Sequence, residues 1–202
     1  TQTATGLAAG FYTVVVTDAN GTTASQFVQI TEPQPLGTDS ITSPQYVGGA
    51  NVSCVGAMDG AIDFGAMGGS DCEPYSYQWI GPNGFTSTDQ ILIGLEAGTY
   101  VVTVTDINGC SYVDSITLTE PEPLDVDSLL SDYNGYNISC AGFNDGWIDI
   151  TITGGAGPYS VVWNTGDLTE DIDSLTVGIY SYTVTDANGC QMAGSITLTE
   201  PD

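Results

Sequence analysis

One internal repeat constrains this chain more than any other feature. Gly10 to Thr22, Gly98 to Cys110 and Gly178 to Cys190 share the pattern Gly-x-Tyr-x-x-x-Val-Thr-Asp-x-Asn-Gly. Each is followed by Thr-Glu-Pro, at Thr31-Glu32-Pro33, Thr119-Glu120-Pro121 and Thr199-Glu200-Pro201. The copies lie 88 and 80 residues apart. A second set occurs twice. Ser53-Cys54, Asp59-Gly60, Gly68-Gly69, Pro74-Tyr75 and Trp79 match Ser139-Cys140, Asp145-Gly146, Gly154-Gly155, Pro158-Tyr159 and Trp163. The period is too long for a solenoid and fits tandem domains. The division expected is a truncated repeat over 1–34, a complete repeat over 35–121 and another over 122–202. Residues 1–34 match only the last strands of a unit, so the chain is expected to begin mid-domain, as a window on a longer array. Two strands without the rest of a sandwich are marginal alone.

Within a unit the apolar residues alternate with period two. Ile148, Ile150 and Ile152 interleave with Asp149 and Thr151, which is a half-buried strand. Tyr100, Val102 and Val104 interleave with Val101, Thr103 and Thr105, which predicts a strand buried on nearly both faces. Asn-Gly at 108–109 and 188–189 tolerates positive φ at both central positions and predicts tight hairpins. Asp106 and Asp186, two residues before each Asn, are placed to cap those turns. In the second complete unit the order predicted is strand A near Leu124–Leu130, B near Gly146–Thr153, C near Tyr159–Trp163, a weaker stretch to Leu175, then F and G around the Asn-Gly. The fold class expected is all-β, as tandem immunoglobulin-like β-sandwich domains with a Trp on strand C. Trp79, Trp163 and the repeated tyrosines recur at matching places, which favours core packing over ligand stacking. Trp147, whose counterpart is Ala61, is expected at the surface.

Charge narrows the function. The chain has 25 Asp plus Glu and no Lys, Arg or His, for a formal net charge of −25. No cation can clamp a phosphate, so nucleic acid is excluded as a partner. No imidazole can serve a nucleophile relay. No lysine can form an isopeptide staple. No apolar run is long enough for a membrane-spanning helix.

With these motifs laid out, the unit resembles the SprB-type repeat. That family forms long tandem arrays in giant surface adhesins of gliding and non-gliding Bacteroidota. Its pattern is Cys-x-Gly, Asp-Gly, Gly-Gly, Pro-Tyr-x-Tyr-x-Trp, Leu-x-x-Gly-x-Tyr, Val-Thr-Asp-x-Asn-Gly-Cys and a closing Glu-Pro. The resemblance covers the whole chain when 1–34 is counted as a truncated unit. It implies an extracellular or cell-surface protein, secreted by the type IX route, in a filament or in cell–substrate contact. Thr22 departs from the pattern by standing where the hairpin Cys is expected, and Cys72 is an addition.

In a secreted β chain, Cys54, Cys110, Cys140 and Cys190 are disulfide candidates, with Cys72 the odd one. The pairing favoured is within each unit, Cys54–Cys110 and Cys140–Cys190. Each would close a loop of about 50 residues, worth about 4 kcal/mol in the chain-entropy model. An alternative stays open. The A–B and F–G loops of a sandwich lie at opposite ends, and head-to-tail stacking would bring Cys54 near Cys190 of the next unit. Cys72, near the B–C loop, could also meet Cys110.

Oxygen-rich clusters at Asp106/Asn108, Asp186/Asn188, Asp59/Asp63 and Asp145/Asp149 are formal calcium ligands. The plainer reading is turn caps and solvated strand faces, so no cofactor is required and Ca2+ is the only candidate. Asp-Ser-Ile/Leu at Ser40, Ser115, Ser128 and Ser174 looks like the O-glycosylation acceptor motif of Bacteroidota secreted proteins. The acidic pairs could formally do glycosidase chemistry, but a catalytic site seldom recurs in every repeat, so no enzyme is expected. The reading is a structural and adhesive tandem-repeat segment of a surface filament. Its partners are neighbouring repeats of the same or identical chains, and surface polysaccharide or substratum. The alternative is a carbohydrate-binding accessory module of a secreted protein.

Overall fold

The computed structural model describes residues 3–69 and 74–202. Its architecture is all-β. Strands β1 (Gly10–Thr17) and β2 (Thr23–Ile30) form an antiparallel hairpin. Two larger assemblies follow, each built from two antiparallel sheets.

In the first, β3 (Gly37–Thr42), β4 (Gly60–Met67) and β7 (Ile91–Leu95) make one sheet, in the order β3-β4-β7. Strands β5 (Ser76–Ile80), β6 (Thr86–Ser87), β8 (Gly98–Thr105) and β9 (Ser111–Leu118) make the other, in the order β6-β5-β8-β9. The second assembly repeats this plan. Its sheets are β10 (Asp125–Leu130), β11 (Gly146–Thr153) and β13 (Ile172–Leu175), and β12 (Ser160–Trp163), β14 (Gly178–Thr185) and β15 (Gln191–Leu198). An A-B-E sheet facing a C-F-G sheet is the immunoglobulin-like arrangement.

Alternation explains the packing. Along β11 the buried positions are Gly146, Ile148 and Ile150, and along β14 they are Tyr180, Tyr182 and Val184. These inward residues join Val161, Trp163, Ile172, Leu175, Ile138 and Leu198 in one core. Ile62, Phe64, Trp79, Leu92, Tyr100, Val102, Val104 and Leu118 form the other. Strand β8 is fully buried on one face only; Val101, Thr103 and Thr105 are half-buried. Each core Trp satisfies its indole N–H on a backbone carbonyl, Trp79 on Asp89 at 2.9 Å and Trp163 on Thr169 at 3.0 Å. This is the requirement for burying a polar edge. Trp147 is exposed.

One tyrosine contact recurs three times. The hydroxyls of Tyr12, Tyr100 and Tyr180 each donate to the carbonyl four residues upstream, on Ala8, Glu96 and Thr176. This is the tyrosine corner of immunoglobulin-like sandwiches. The β1–β2 hairpin thus has the local structure of F and G strands. Its apolar face is exposed, however: Val14 and Val16 are 51% and 63% accessible, where their counterparts Val102 and Val104 are both 0%.

Candidate functional site

The sandwich has two ends, and the sequence motifs divide between them. At one end the closing Thr-Glu-Pro organises the cysteine-bearing A–B loop. Asn51 Oδ1 accepts the N–H and the hydroxyl of Thr119, each at 3.0 Å, while the N–H groups of Asn51 and Val52 donate to the Thr119 carbonyl. Glu120 accepts the Gly56 N–H at 2.9 Å. Asp59 accepts the Ser53 N–H at 3.0 Å. The second repeat reproduces every contact: Asn137 with Thr199, Glu200 with Gly142, and Asp145 with both the N–H and the hydroxyl of Ser139. These bonds set the carboxylates. Burial opposes ionisation of Asp59, but hydrogen bonds from Ser53 outweigh it and hold its pKa below the ordinary 3.8. For Asp145 the Ser139 hydroxyl and N–H lower the pKa, and burial opposes them only weakly.

At the other end lies the F–G hairpin. Asp106 Oδ1 accepts the N–H groups of Asn108 and Cys110, and Asp186 Oδ1 accepts those of Asn188 and Cys190, at 2.8–3.0 Å. The second oxygen of Asp186 accepts the Ala156 N–H at 2.9 Å, tying the hairpin to the Gly-Gly loop. That loop in turn grips the entering linker: Gly69 N–H donates to Gln34 and Gly155 N–H to Glu122, both at 2.7 Å. Glycine is required there. Gly68 and Gly154 have φ of +76° and +70°, and a Cβ on them would lie 2.0 and 1.8 Å from the carbonyl oxygens of Pro35 and Pro123.

The A–B loop of one repeat meets the F–G hairpin of the next. Cys54 and Cys190 are joined by a disulfide, with Cα atoms 5.7 Å apart across 136 residues of sequence. Beside it, the Asn188 amide donates to the carbonyls of Val47 (3.0 Å) and Ser53 (3.3 Å) and accepts the Val47 N–H at 3.2 Å. The favoured pairings Cys54–Cys110 and Cys140–Cys190 are therefore corrected: the structure shows the head-to-tail alternative. The reason is topological. A repeat's loop cysteine is anchored to its departing Thr-Glu-Pro, whereas its hairpin cysteine is anchored beside its entering linker, at the opposite end. Cys110 and Cys140 are unpaired and exposed. Cys72 lies outside the described residues.

The other candidate positions take simple places. Asp59, Asp106, Asp145 and Asp186 are engaged with backbone N–H groups, as turn and loop caps. Asp63 and Asp149 stand on the solvent faces of β4 and β11. Asn108 is exposed and Asn188 is half-buried at the junction. Among the described residues no three Asp, Glu or Cys side chains converge to hold a metal ion. Ser40, Ser115, Ser128 and Ser174 are all exposed. From sequence, Asn188 reads as a turn residue and a formal calcium ligand. Its bridging role has no signal of its own, because the same Asn-Gly serves the undocked hairpin at Asn108.

No helix among the described residues is long and apolar enough to cross a membrane. No curated protein matches the chain. The model of one family, described as the SprB repeat, matches at residues 50–84 and 136–168, which are the stretches that carry the A–B loop, the Gly-Gly turn and the strand-C tryptophan. Each of the two sandwiches thus carries one stretch that matches the SprB repeat, at corresponding places in the two units.

Proposed function

We propose that this chain is a load-carrying segment of an extracellular filament or giant adhesin, in which successive sandwiches are clasped end to end. One observation carries the reading: the junction between the two SprB repeats is closed by a short Pro-containing linker, a hydrogen-bonded Asn188 bridge and a disulfide. A flexible accessory module needs no such clasp, since domain motion across a linker is the default. The carbohydrate-binding alternative has little aromatic surface to use, because Trp79 and Trp163 are buried in the two cores and Trp147 alone of the three tryptophans is exposed. Surface deployment, the type IX route, contact with a substratum and modification at the four Asp-Ser motifs belong to the same proposal. The net charge of −25 keeps neighbouring filaments apart at low salt, so bundling rises with ionic strength.

The test is electron microscopy of the isolated chain and of fibres carrying it. Beads in line at constant spacing support the proposal. Repeats that flex freely about the linker in the oxidised protein overturn it.

A further inference from the structure

The loop around Cys140 reproduces the loop that receives Cys190. Ser139 occupies the place of Ser53, with its N–H on Asp145 as Ser53 has its own on Asp59. Gly142 rests on Glu200 as Gly56 rests on Glu120. Tyr133 bonds the Asp145 carbonyl as Tyr46 bonds that of Asp59, at 3.1 and 3.3 Å. The following turn is one residue shorter, Tyr133 to Tyr136 against Tyr46 to Ala50, and Asn134 follows Tyr133 as Val47 follows Tyr46, with a left-handed φ of +56°. Cys140 is exposed at the rim of this loop. The sister loop is the second, independent observation: the same set of residues, one repeat earlier, already holds a hairpin cysteine in covalent linkage.

The structure also shows the incoming half before docking. The hairpin of the first repeat has the same Asp106 cap as the Asp186 hairpin. Yet Asn108 and Cys110 are exposed, where Asn188 and Cys190 are half-buried against the neighbouring loop. Docking thus requires no refolding of the hairpin. It needs only a loop of the Cys54 or Cys140 type opposite it.

We propose that Cys140 is a covalent docking site for the Asp-x-Asn-Gly-Cys hairpin of a following SprB-type repeat, so that the clasp seen between Cys54 and Cys190 recurs at the next junction. The partner is recognised by its Asn, which bridges to backbone of the loop, and by its thiol. The inference rests on the tandem-array reading. Its chemistry is thiol–disulfide exchange with a disulfide oxidant such as glutathione disulfide. The hairpin thiolate attacks the oxidant and releases one glutathione thiolate, leaving a mixed disulfide. The Cys140 thiolate then attacks the protein sulfur and releases the second. Two protein thiols lose two electrons and two protons, and one glutathione disulfide becomes two glutathione thiols.

The test extends the whole chain with a second copy of residues 123–202 after Asp202, so that Asp202-Pro reproduces Glu122-Pro123. Cys72 is changed to serine, and in the copy Cys140 is changed to serine and Met192 to leucine, so that only one Cys140 remains and the two Cys190 peptides differ in mass. The protein is equilibrated in a glutathione redox buffer, alkylated without reduction and mapped by peptide mass. A repeat on a short linker presents its thiol at millimolar effective concentration, so Cys140 labelling should fall by about tenfold or more relative to the unextended chain. The recovered cross-link should join Cys140 to the copied Cys190. Cys110, which meets no complementary loop in the extended chain, should stay labelled. Full labelling of Cys140 while Cys54–Cys190 is intact overturns the proposal. So does a cross-link from Cys140 to any other cysteine, or failure of the Cys54–Cys190 bond itself. A straight array seen by microscopy with Cys140 still reduced would sink this inference alone and leave the filament reading standing.

Discussion

Replacing both Cys54 and Cys190 with serine opens the clasp without touching either core, because neither sulfur belongs to the two buried clusters. The cost follows from the chain path. Each repeat has its own core, so each can unfold while its neighbour stays folded and serves as an anchor. About 70 residues separate Cys54 from Pro121, and about 70 separate Pro121 from Cys190. Unfolding either repeat with the bond intact therefore releases a loop pinned at both ends. In the chain-entropy model a closed loop of that length is worth about 4 kcal/mol. For repeats of 80 to 90 residues, each kcal/mol moves the melting temperature by about 4–8 °C, so the double variant should melt about 15–30 °C lower. Scanning calorimetry of the oxidised protein and the double variant measures this directly. The Cys110→Ser, Cys140→Ser pair is the control and should leave the melting temperature unchanged. A fall of under about 5 °C would refute the reasoning, since it would mean that the bond does not constrain the unfolded repeats.

Three further outcomes are expected. Gly154→Ala places a methyl group against the Pro123 carbonyl at a positive φ, and should destabilise the second repeat by about 2 kcal/mol or more, read from its denaturant midpoint; a neutral result would contradict the steric argument. The Asp145 pKa is lowered, so its stabilisation is present above the ordinary value of 3.8 and is lost as pH falls through the folded-state value. The melting-temperature gap between wild type and Asp145→Asn should therefore narrow from pH 6 to pH 3, and a constant gap would argue against that role. Chelation of calcium should leave the melting temperature unmoved, because Asp59, Asp106, Asp145 and Asp186 already hold backbone N–H groups; a clear drop on adding EGTA would reopen a metal site.

Much of the fold is legible because it is written in local patterns. Alternation along β11 and β14, Asn-Gly after Asp106 and Asp186, and a Trp on each strand C all report on neighbours a few residues away. The strands predicted for the second complete unit match β10 to β15 within a residue or two. The pattern of β8 suggests more burial than the strand has, because Val101 is apolar but lies on a half-covered face. The candidate site is less legible. Cys54 and Cys110 look like a pair because they share a repeat, but pairing depends on which loops meet in space. That is decided by the direction in which the chain leaves one sandwich and enters the next. Asn188 escapes sequence reasoning for the same cause: its partners Val47 and Ser53 are more than 130 residues away in sequence, and it shares its Asp-x-Asn-Gly-Cys motif with Asn108.

The clasp also determines how the chain bears tension. Pulled by its ends, the molecule transmits force along the backbone to Cys54, across the sulfur bridge to Cys190, and out towards Asp202. Everything between is shunted out of the load path. At ~3.4 Å per extended residue, the 136 residues spanned by the bond amount to ~460 Å of slack that cannot be released while it holds. Cys140 lies inside that interval, so a second bond starting there would overlap the first. Where successive junctions are bridged in this way, the sheltered intervals interlock and no repeat is left to unravel. Tandem sandwiches without such bridges act as springs that lengthen one domain at a time. Between Cys54 and Cys190 this chain is a strap: that interval is closed by a covalent bond, and it lengthens only when the bond ruptures or is reduced.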